Sequence, residues 1–300
     1  MRVVISGASG LIGTALQAHL RAEGHHVVRL VRTAPTGSDI FWDPGAGVLA
    51  PDALAGADAI VHLAGAGIGD HRWTDAYRRE IRDSRLRSTT LLAEAIAASS
   101  ATDGGRPVLL SGSAIGYYGT SDDRELDEAS PNGSGFLAEI CRDWEAATAL
   151  AAHAGVRVAF LRTGIVLTPT GGALKKMLPL FKLGLGGRFG NGHQWQSWIS
   201  LPDEVGAITH LLTADVEGPV NLTAPSPVTN VEFARTLATV LHRPALLPVP
   251  KFAPSLLLGR QLADSLLFTG QRVLPRVLQR TGYQFRHGSL EIALRSLLGR

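Results

Sequence analysis

The chain has 300 residues, of which 45% are hydrophobic and 18% charged, a balance that indicates a folded globular protein and excludes a disordered one. Its net charge is only +3 and its basic residues are scattered, which argues against nucleic acid as a partner. The single cysteine, Cys141, excludes an internal disulfide. Because no apolar run approaches the roughly 20 residues that span a bilayer, we expect a cytoplasmic protein with no membrane partner, and no spacing of side chains predicts a metal site.

A β-branched run at Arg2–Ile5 predicts the first strand, and a glycine-rich turn and a helical run follow it directly. The glycines have the spacing Gly-x-x-Gly-x-x-Gly: Gly7 permits a sharp turn, Gly10 lets the backbone approach a pyrophosphate, and Gly13 lets the helix pack close to the sheet. Free N–H groups at the start of that helix favour a phosphate. This context predicts a dinucleotide site that includes Gly7, Ser9, Gly10, Leu11, Ile12 and Gly13.

Strand-like and helix-like segments then alternate along the chain. The predicted strands are His26–Val31, Ile40–Trp42, Asp58–Gly65, Pro107–Ser111 and Val156–Leu161. A long helix is expected over about 74–98, and a further helix within 133–153. Because strands separated by helices pair in parallel with right-handed crossovers, the chain is predicted to be an α/β protein with a Rossmann-like, doubly wound parallel sheet. Its ligand crevice would lie at the carboxyl ends of the strands.

The end of the second predicted strand indicates which nicotinamide cofactor is preferred. An acidic residue there accepts hydrogen bonds from the ribose 2′-hydroxyl of NAD, whereas an arginine accommodates the 2′-phosphate of NADP. This strand ends Val31-Arg32, and no carboxylate follows until Asp39. The sequence therefore predicts NADP(H) as the cofactor.

The pattern changes after about Thr168, where glycine-rich and proline-rich stretches separate short helices. Thr229 and Glu232 have the spacing of a capping box for a helix that ends near Leu241, and 289–298 is predicted as a final amphipathic helix. We therefore expect residues 1–168 to form an NADP-binding Rossmann domain. Residues 169–300 would form a smaller C-terminal α+β lobe that covers the substrate, with some segments returning to the sheet.

Several segments resemble the extended short-chain dehydrogenase/reductase superfamily, and more narrowly its atypical "epimerase family" branch, which is related to nucleotide-sugar epimerases. The matching segments are residues 6–13, 62–65, 84–85, 113–119, 161–167 and 194–199, and residues 270–275 and 281–285 match the branch's C-terminal domain of unknown function. The resemblance implies NADP(H) contacts at Val31, Arg32, Leu63, Ala64, Glu80, Arg85 and Val166. Gly65 and Ser111, near the ends of predicted strands, are assigned to the same site.

The chain departs from this superfamily in its catalytic residues. Superfamily enzymes use a tyrosine with a lysine four residues later, and that lysine lowers the pKa of the tyrosine for proton transfer. Here no lysine precedes Lys175, no tyrosine is followed by a lysine at the fourth position, and the matching helix reads Phe136–Cys141. Ser113 and Tyr118, close to the end of the fifth predicted strand, are the remaining catalytic candidates.

Three functions are compatible with these observations. The first is an NADP(H)-dependent oxidoreductase with an unidentified small-molecule substrate. The second is a nucleotide-sugar epimerase, against which the missing tyrosine–lysine pair argues because epimerisation needs a competent base. The third is a non-catalytic NADP(H)-binding sensor or interaction protein, since a fold alone does not establish activity. The oligomeric state stays open, with a homodimer as the assembly considered.

Overall fold

The computed structural model describes residues 1–103, 106–245 and 248–300. The strands are β1 (Arg2–Ser6), β2 (His26–Val31), β3 (Ile40–Asp43), β4 (Val48–Leu49), β5 (Ala59–His62), β6 (Val108–Ala114), β7 (Glu125–Leu126), β8 (Val158–Thr163), β9 (Ile165–Leu167), β10 (Trp195–Gln196), β11 (Trp198–Ser200), β12 (Gly218–Leu222), β13 (Val228–Thr229) and β14 (Arg272–Val273). The helices are α1 (Leu11–Ala22), α2 (Asp75–Asp103), α3 (Phe136–Ala146), α4 (Ala149–His153), α5 (Gly172–Lys182), α6 (Leu201–Thr213), α7 (Asn230–Leu241), α8 (Phe252–Leu258), α9 (Arg260–Leu267), α10 (Arg276–Arg280) and α11 (Leu290–Leu298), with a 3-10 turn at Ile115–Tyr118.

Eight strands form the central sheet in the order β12-β8-β6-β5-β1-β2-β3-β4. All neighbouring pairs are parallel except β3 and β4, which form an antiparallel edge. The predicted doubly wound α/β fold is therefore confirmed. Successive strands run outward from β1 on one side, and β5 starts the other side, so the strand order reverses between β1 and β5. That reversal is where ligands bind in folds of this type.

The inner strands are apolar because helices cover both faces of the sheet. Side chains alternate between the faces: Val3 lies in a core cluster with Leu16 of α1 and Ile208 of α6. Val4 lies in a second cluster, on the opposite face, with Leu92 of α2. Because β1 is packed on both faces of the sheet, its position is fixed, and so is the position of the glycine turn that follows it.

Two of the predicted strands end three residues away from the observed strand ends. The predicted strand Asp58–Gly65 ends earlier, at His62, because the chain leaves the ladder after one further hydrogen bond, from the amide of Leu63 to the carbonyl of Ser6. The strand predicted to end at Ser111 continues to Ala114 as β6, since its small residues pair with β8 from Leu109 to Ala114. Ser111 therefore lies within a strand and not at its end.

The second half of the chain contributes both to the central sheet with its helices and to a separate hydrophobic core. α6 packs on α1, and β12 extends the central sheet beside β8 with Val220 opposite Leu161. Segments of the second half are therefore part of the Rossmann-like sheet and its helix covering. A separate core forms from α5, α7 and α11. The predicted capping box is confirmed at the start of α7, and the predicted final helix is confirmed as α11. Among the described residues, no helix has the length and apolar content needed to cross a bilayer.

Candidate cofactor-binding site

A cavity of about 1000 Å³ opens at the carboxyl ends of β1, β2 and β5, where the strand order reverses. Nine of the fifteen predicted cofactor residues line it: Gly7, Ser9, Gly10, Val31, Arg32, Leu63, Ala64, Gly65 and Glu80. Leu11, Ile12, Gly13, Arg85, Ser111 and Val166 are not among the lining residues. The cavity volume is sufficient for a large ligand, and its position is the one that a dinucleotide occupies in this fold class.

The glycine turn is closely packed on one side and open on the other. Gly7 has φ +68°, and a Cβ atom there would lie 2.6 Å from the carbonyl carbon of Leu63. A Cβ on Gly13 would lie 2.3 Å from the carbonyl oxygen of Gly7, so Gly13 lets α1 approach the turn rather than, as expected from the sequence, the sheet. A Cβ on Gly10 would meet only that same oxygen, at 3.2 Å. The turn is therefore open at Gly10, which lines the cavity.

The start of α1 supplies unsatisfied donors to this space. Gly10 is the N-cap residue and provides no side-chain hydrogen bond, so the first N–H groups of the helix stay available to an anion. The side chain of Leu11 points away and packs where a Cβ on Gly171 would be 2.6 Å from it. Val166 and Ile12 pack on the first core cluster, which places these three predicted residues at the contact between the two halves of the chain.

One arginine at this site forms no ion pair with the described residues, and a carboxylate that lines the same cavity is paired with a different arginine. Arg32, directly after β2, is exposed, lines the cavity and forms no ion pair with the described residues. Asp39 also lines the cavity, but the Nε atom of Arg29 donates to it at 2.8 Å and the hydroxyl of Thr36 at 3.0 Å. The hydrogen bond from Arg29 lowers the pKa of Asp39. The cavity thus presents a free guanidinium beside a carboxylate whose charge is compensated.

A second cation lies behind the cavity wall. Arg85 of α2 is 7% exposed, donates to the backbone carbonyls of Ala66 at 2.9 Å and Ile81 at 3.0 Å, and lies 4.9 Å from the ring of Trp144. No carboxylate in the described part of the chain pairs with it, and burial lowers its pKa. A Cβ on Gly65 would lie 3.2 Å from the guanidinium carbon. A buried, uncompensated positive charge at this wall favours an anionic ligand.

The two catalytic candidates belong to a buried polar network. The hydroxyl of Ser113 donates to Glu145 at 2.7 Å, and Glu145 accepts two further hydrogen bonds from Arg162, at 2.8 and 2.9 Å. Tyr118 donates to Asn221 at 2.7 Å and accepts from Arg162 at 3.0 Å. Burial raises the pKa of Tyr118 to about 12. Ser113 is 5% exposed and Tyr118 is 3% exposed, and both hydroxyls are hydrogen-bonded inside the protein. The catalytic role of these two residues stays a prediction.

His62 and Ser111 lie under the floor of the cavity, on neighbouring strands. His62 is fully buried between the hydroxyls of Ser6 at 2.6 Å and Thr89 at 2.9 Å, and burial lowers its pKa to about 3, so the ring is neutral. Ser111 is opposite His62 in the ladder, and its hydroxyl is buried without a partner among the described residues. The geometry places Ser111 in the core beneath the site.

The start of α3, the helix that matches the location of the absent tyrosine–lysine pair, packs in an apolar cluster. Ile140 is 3% exposed and packs with Tyr77 and Ile81 of α2. Phe136 packs on the same cluster, with its ring 5.0 Å from the ring of Trp73. The segment Phe136–Cys141 contains neither a tyrosine nor a lysine.

Several residues that line the cavity were not predicted from the sequence to be part of the site. They include Arg29, Asp39, Asp83, Ser84, Arg87 and the segment 42–45. Arg29 could have been found because it lies two residues before Val31 and therefore on the same face of β2. Asp39 could not, since its approach to Arg29 depends on how β3 pairs with β2.

Comparisons with known proteins agree with this architecture. Residues 3–223 match the NAD dependent epimerase/dehydratase family, and residues 249–297 match a domain of unknown function, DUF1731. The chain is 46% identical to the epimerase family protein Mb2239 of Mycobacterium bovis, over 97% of this chain and 96% of that protein.

Two solved structures are also similar. The crystal structure of the human epimerase family protein SDR39U1 (isoform 2) with NADPH has a TM-score of 0.89 and 39% identity, with full coverage of both chains. The nucleoside-diphosphate sugar epimerase of Corynebacterium glutamicum has a TM-score of 0.81 and 38% identity, covering all of this chain and 58% of that one. The chain therefore belongs to the NAD dependent epimerase/dehydratase family, as an epimerase family protein with a C-terminal DUF1731 segment.

Proposed function

We propose that this protein binds NADP(H) and acts as an oxidoreductase on a small molecule. The observation that carries the proposal is the exposed Arg32 directly after β2, which forms no ion pair with the described residues and lines a cavity in which Asp39, the next carboxylate along the chain, is paired with Arg29. An arginine in this position suits the 2′-phosphate that distinguishes NADP from NAD. The similar human structure was solved with NADPH, which supports the same choice.

The other lining residues fit the remaining parts of such a cofactor. The turn Gly7–Gly13 and the bare start of α1 would hold the pyrophosphate, and Arg85 adds positive charge behind it. Leu63 and Ala64 offer an apolar surface for adenine and ribose. Glu80, exposed on α2 and facing the cavity, would accept hydrogen bonds from ribose hydroxyls.

The chain's own side chains limit how a proton reaches the substrate. Bound NADP(H) supplies or accepts a hydride. Tyr118 retains its proton, because its pKa is raised to about 12 and its hydroxyl is bonded to Asn221 and Arg162. Ser113 donates to Glu145. We therefore infer that the proton is exchanged with solvent water at the open side of the cavity.

A second candidate is a non-catalytic NADP(H)-binding sensor or interaction protein. The specific observation in its favour is that Ser113 and Tyr118 are both buried and hydrogen-bonded, while the matching helix segment Phe136–Cys141 contains neither tyrosine nor lysine. The same observation weakens the case for nucleotide-sugar epimerisation, which needs a base at the sugar.

We also propose that the protein is cytoplasmic, acts on a small-molecule substrate and forms a homodimer. The single cysteine fits a reducing compartment.

The cofactor assignment is tested by calorimetric titration of the wild type and Arg32→Gln with NADPH and NADH. Because a hydrogen bond to a charged group contributes about 1.5–3 kcal/mol, Arg32→Gln is expected to weaken NADPH binding roughly 10- to 100-fold. NADH lacks the 2′-phosphate and serves as the internal control, with an expected change below about threefold. Equal losses for both cofactors would show that Arg32 does not read the 2′-phosphate.

Activity is tested by following oxidation of NADPH with a panel of carbonyl compounds, in the wild type, Ser113→Ala and Tyr118→Phe. Turnover that persists in both variants supports proton exchange with water. Turnover abolished in a variant that still binds NADPH would restore that hydroxyl as the proton donor. Tight NADPH binding without turnover of any compound would favour the sensor.

A further inference from the structure

The lysines of this chain are confined to one region. All four lie in two segments, residues 169–202 and 233–263: Lys175, Lys176, Lys182 and Lys251. Together the two segments contain eight Lys and Arg and no Asp or Glu, whereas in the rest of the chain 26 acidic residues outnumber 21 basic ones. The net charge of +3 is therefore the sum of two strongly basic segments and a remainder of the chain that is net acidic.

The same two segments expose large apolar side chains. Leu180, Leu183 and Leu185 are 50%, 72% and 57% exposed, and Phe252 and Leu256 are 73% and 75% exposed. Phe252 and Leu256 are four residues apart and so share one face of α8. Exposed apolar side chains in such a group, unlike isolated ones, indicate an interaction surface.

Hydrogen bonds hold the two segments side by side. Arg243 donates to the carbonyl of Lys182 at 2.9 Å, and the amide of Val249 donates to the carbonyl of Arg188 at 2.8 Å. The chain enters α8 three residues after Val249. The two segments are therefore neighbours on the surface, and we name their exposed lysines and apolar side chains the basic apolar face: Lys175, Lys176, Leu180, Lys182, Leu183, Leu185, Lys251, Phe252 and Leu256.

Three of the four lysine charges of this face are available to a partner. Lys175, Lys176 and Lys182 are exposed and form no ion pair with the described residues, while Lys251 pairs with Asp264 at 2.8 Å. Protein interfaces are depleted in lysine and enriched in arginine, which makes a protein partner a poor match. Lysines around exposed leucine and phenylalanine side chains are typical of elements that bind a membrane surface through acidic headgroups and shallow apolar insertion.

We propose that the basic apolar face docks on a bilayer surface that contains acidic phospholipid. The proposal goes beyond the proposed oxidoreductase function and does not depend on it. The sequence predicts no membrane partner because it contains no apolar run long enough to span a bilayer, but attachment to a bilayer surface needs no such run. Lys176 donates to the carbonyl of Gly69 at 3.4 Å and Arg72 to that of Leu256 at 2.6 Å, so docking would hold the loop after β5 close to the membrane.

The test is co-sedimentation of the full chain with phosphatidylcholine vesicles that contain or lack phosphatidylglycerol. A lysine near an acidic surface strengthens binding about fivefold, so Lys175→Gln/Lys176→Gln/Lys182→Gln is expected to weaken binding on the order of 100-fold. Leu183→Ser/Leu185→Ser is expected to weaken it through loss of apolar insertion. NADPH titration of each variant establishes that its fold is retained, since these residues lie outside the cavity lining.

Matched controls separate this face from general electrostatic attraction. Arg21→Gln/Arg280→Gln/Arg300→Gln removes three exposed charges elsewhere, and Ile292→Ser removes an apolar side chain that is 55% exposed on α11; both should bind as the wild type does. Absence of binding to phosphatidylglycerol vesicles would overturn the proposal. So would equal binding to pure phosphatidylcholine, or equal losses in the control variants. Binding of poly-glutamate without vesicle binding would replace the lipid with an acidic protein partner.

Discussion

The buried pair between Glu145 and Arg162 offers the sharpest prediction about stability. Both side chains are less than 10% exposed and form two parallel hydrogen bonds, at 2.8 and 2.9 Å. Glu145 also accepts from Ser113, and Arg162 donates to Tyr118. Glu145→Gln keeps the shape of the side chain but removes its charge, which leaves the guanidinium buried without a counter-charge.

The expected cost follows from that burial. Removing one partner of a buried ion pair destabilises a protein by about 3–5 kcal/mol, and we take about 3 kcal/mol because the amide retains part of the hydrogen bonding. With an unfolding entropy of about 0.6 kcal/mol/K for a chain of this length, Tm should fall by about 5 °C. Arg162→Met should cost a similar amount. The double variant should cost less than the two single variants together, since it leaves no unpaired charge.

Urea denaturation and thermal melting measure these changes. The control is Asp143→Asn, the same carboxylate-to-amide change where the arginine partners are exposed: Asp143, 17% exposed, pairs with Arg82 at 2.7 Å and Arg142 at 2.8 Å, which are 50% and 57% exposed; it should cost about 1 kcal/mol or less. The reasoning is refuted if Glu145→Gln costs no more than Asp143→Asn, or if the two single costs simply add.

Three further predictions concern pH, the glycine turn and the cavity charges. Burial raises the pKa of Glu204 from 4.5 to about 8, so the folded protein keeps a proton that the unfolded chain releases, and the unfolding free energy should fall between about pH 5 and 8 by up to about 1.4 kcal/mol per pH unit. Glu204→Gln should remove that slope in urea melts, and identical slopes would contradict the assignment. Gly13→Ala should destabilise by about 1–3 kcal/mol and abolish NADPH binding in calorimetry, whereas Gly288→Ala, where a Cβ meets nothing within 4 Å, should change neither. Arg29→Gln should weaken NADPH binding about tenfold by freeing the charge of Asp39, and Asp39→Asn in the same chain should restore it; no restoration would mean that Arg29 acts by another route.

The nucleotide half of the site was predictable because its signals are local. The glycine spacing, the strand before it and the helix after it lie within the first 22 residues. Arg32 could be placed because it directly follows a predicted strand. These features depend on backbone conformation and on spacing along the chain, which a sequence records directly.

The roles of Ser113 and Tyr118 could not be predicted in the same way. Ser113 meets Glu145 from 32 residues away, and Tyr118 meets Asn221 from 103 residues away. Nothing local in the sequence distinguishes a hydroxyl that faces a cavity from one that is buried by a distant strand.

The sequence by itself determined the parallel α/β fold, the glycine turn for a dinucleotide and the missing tyrosine–lysine pair. Only the tertiary structure decided that Arg29 neutralises Asp39, that Tyr118 is bonded in the core, and that the lysines border exposed apolar side chains. The physical reason is that charge compensation and burial depend on which distant segments pack together, whereas turns and helix starts depend on neighbouring residues.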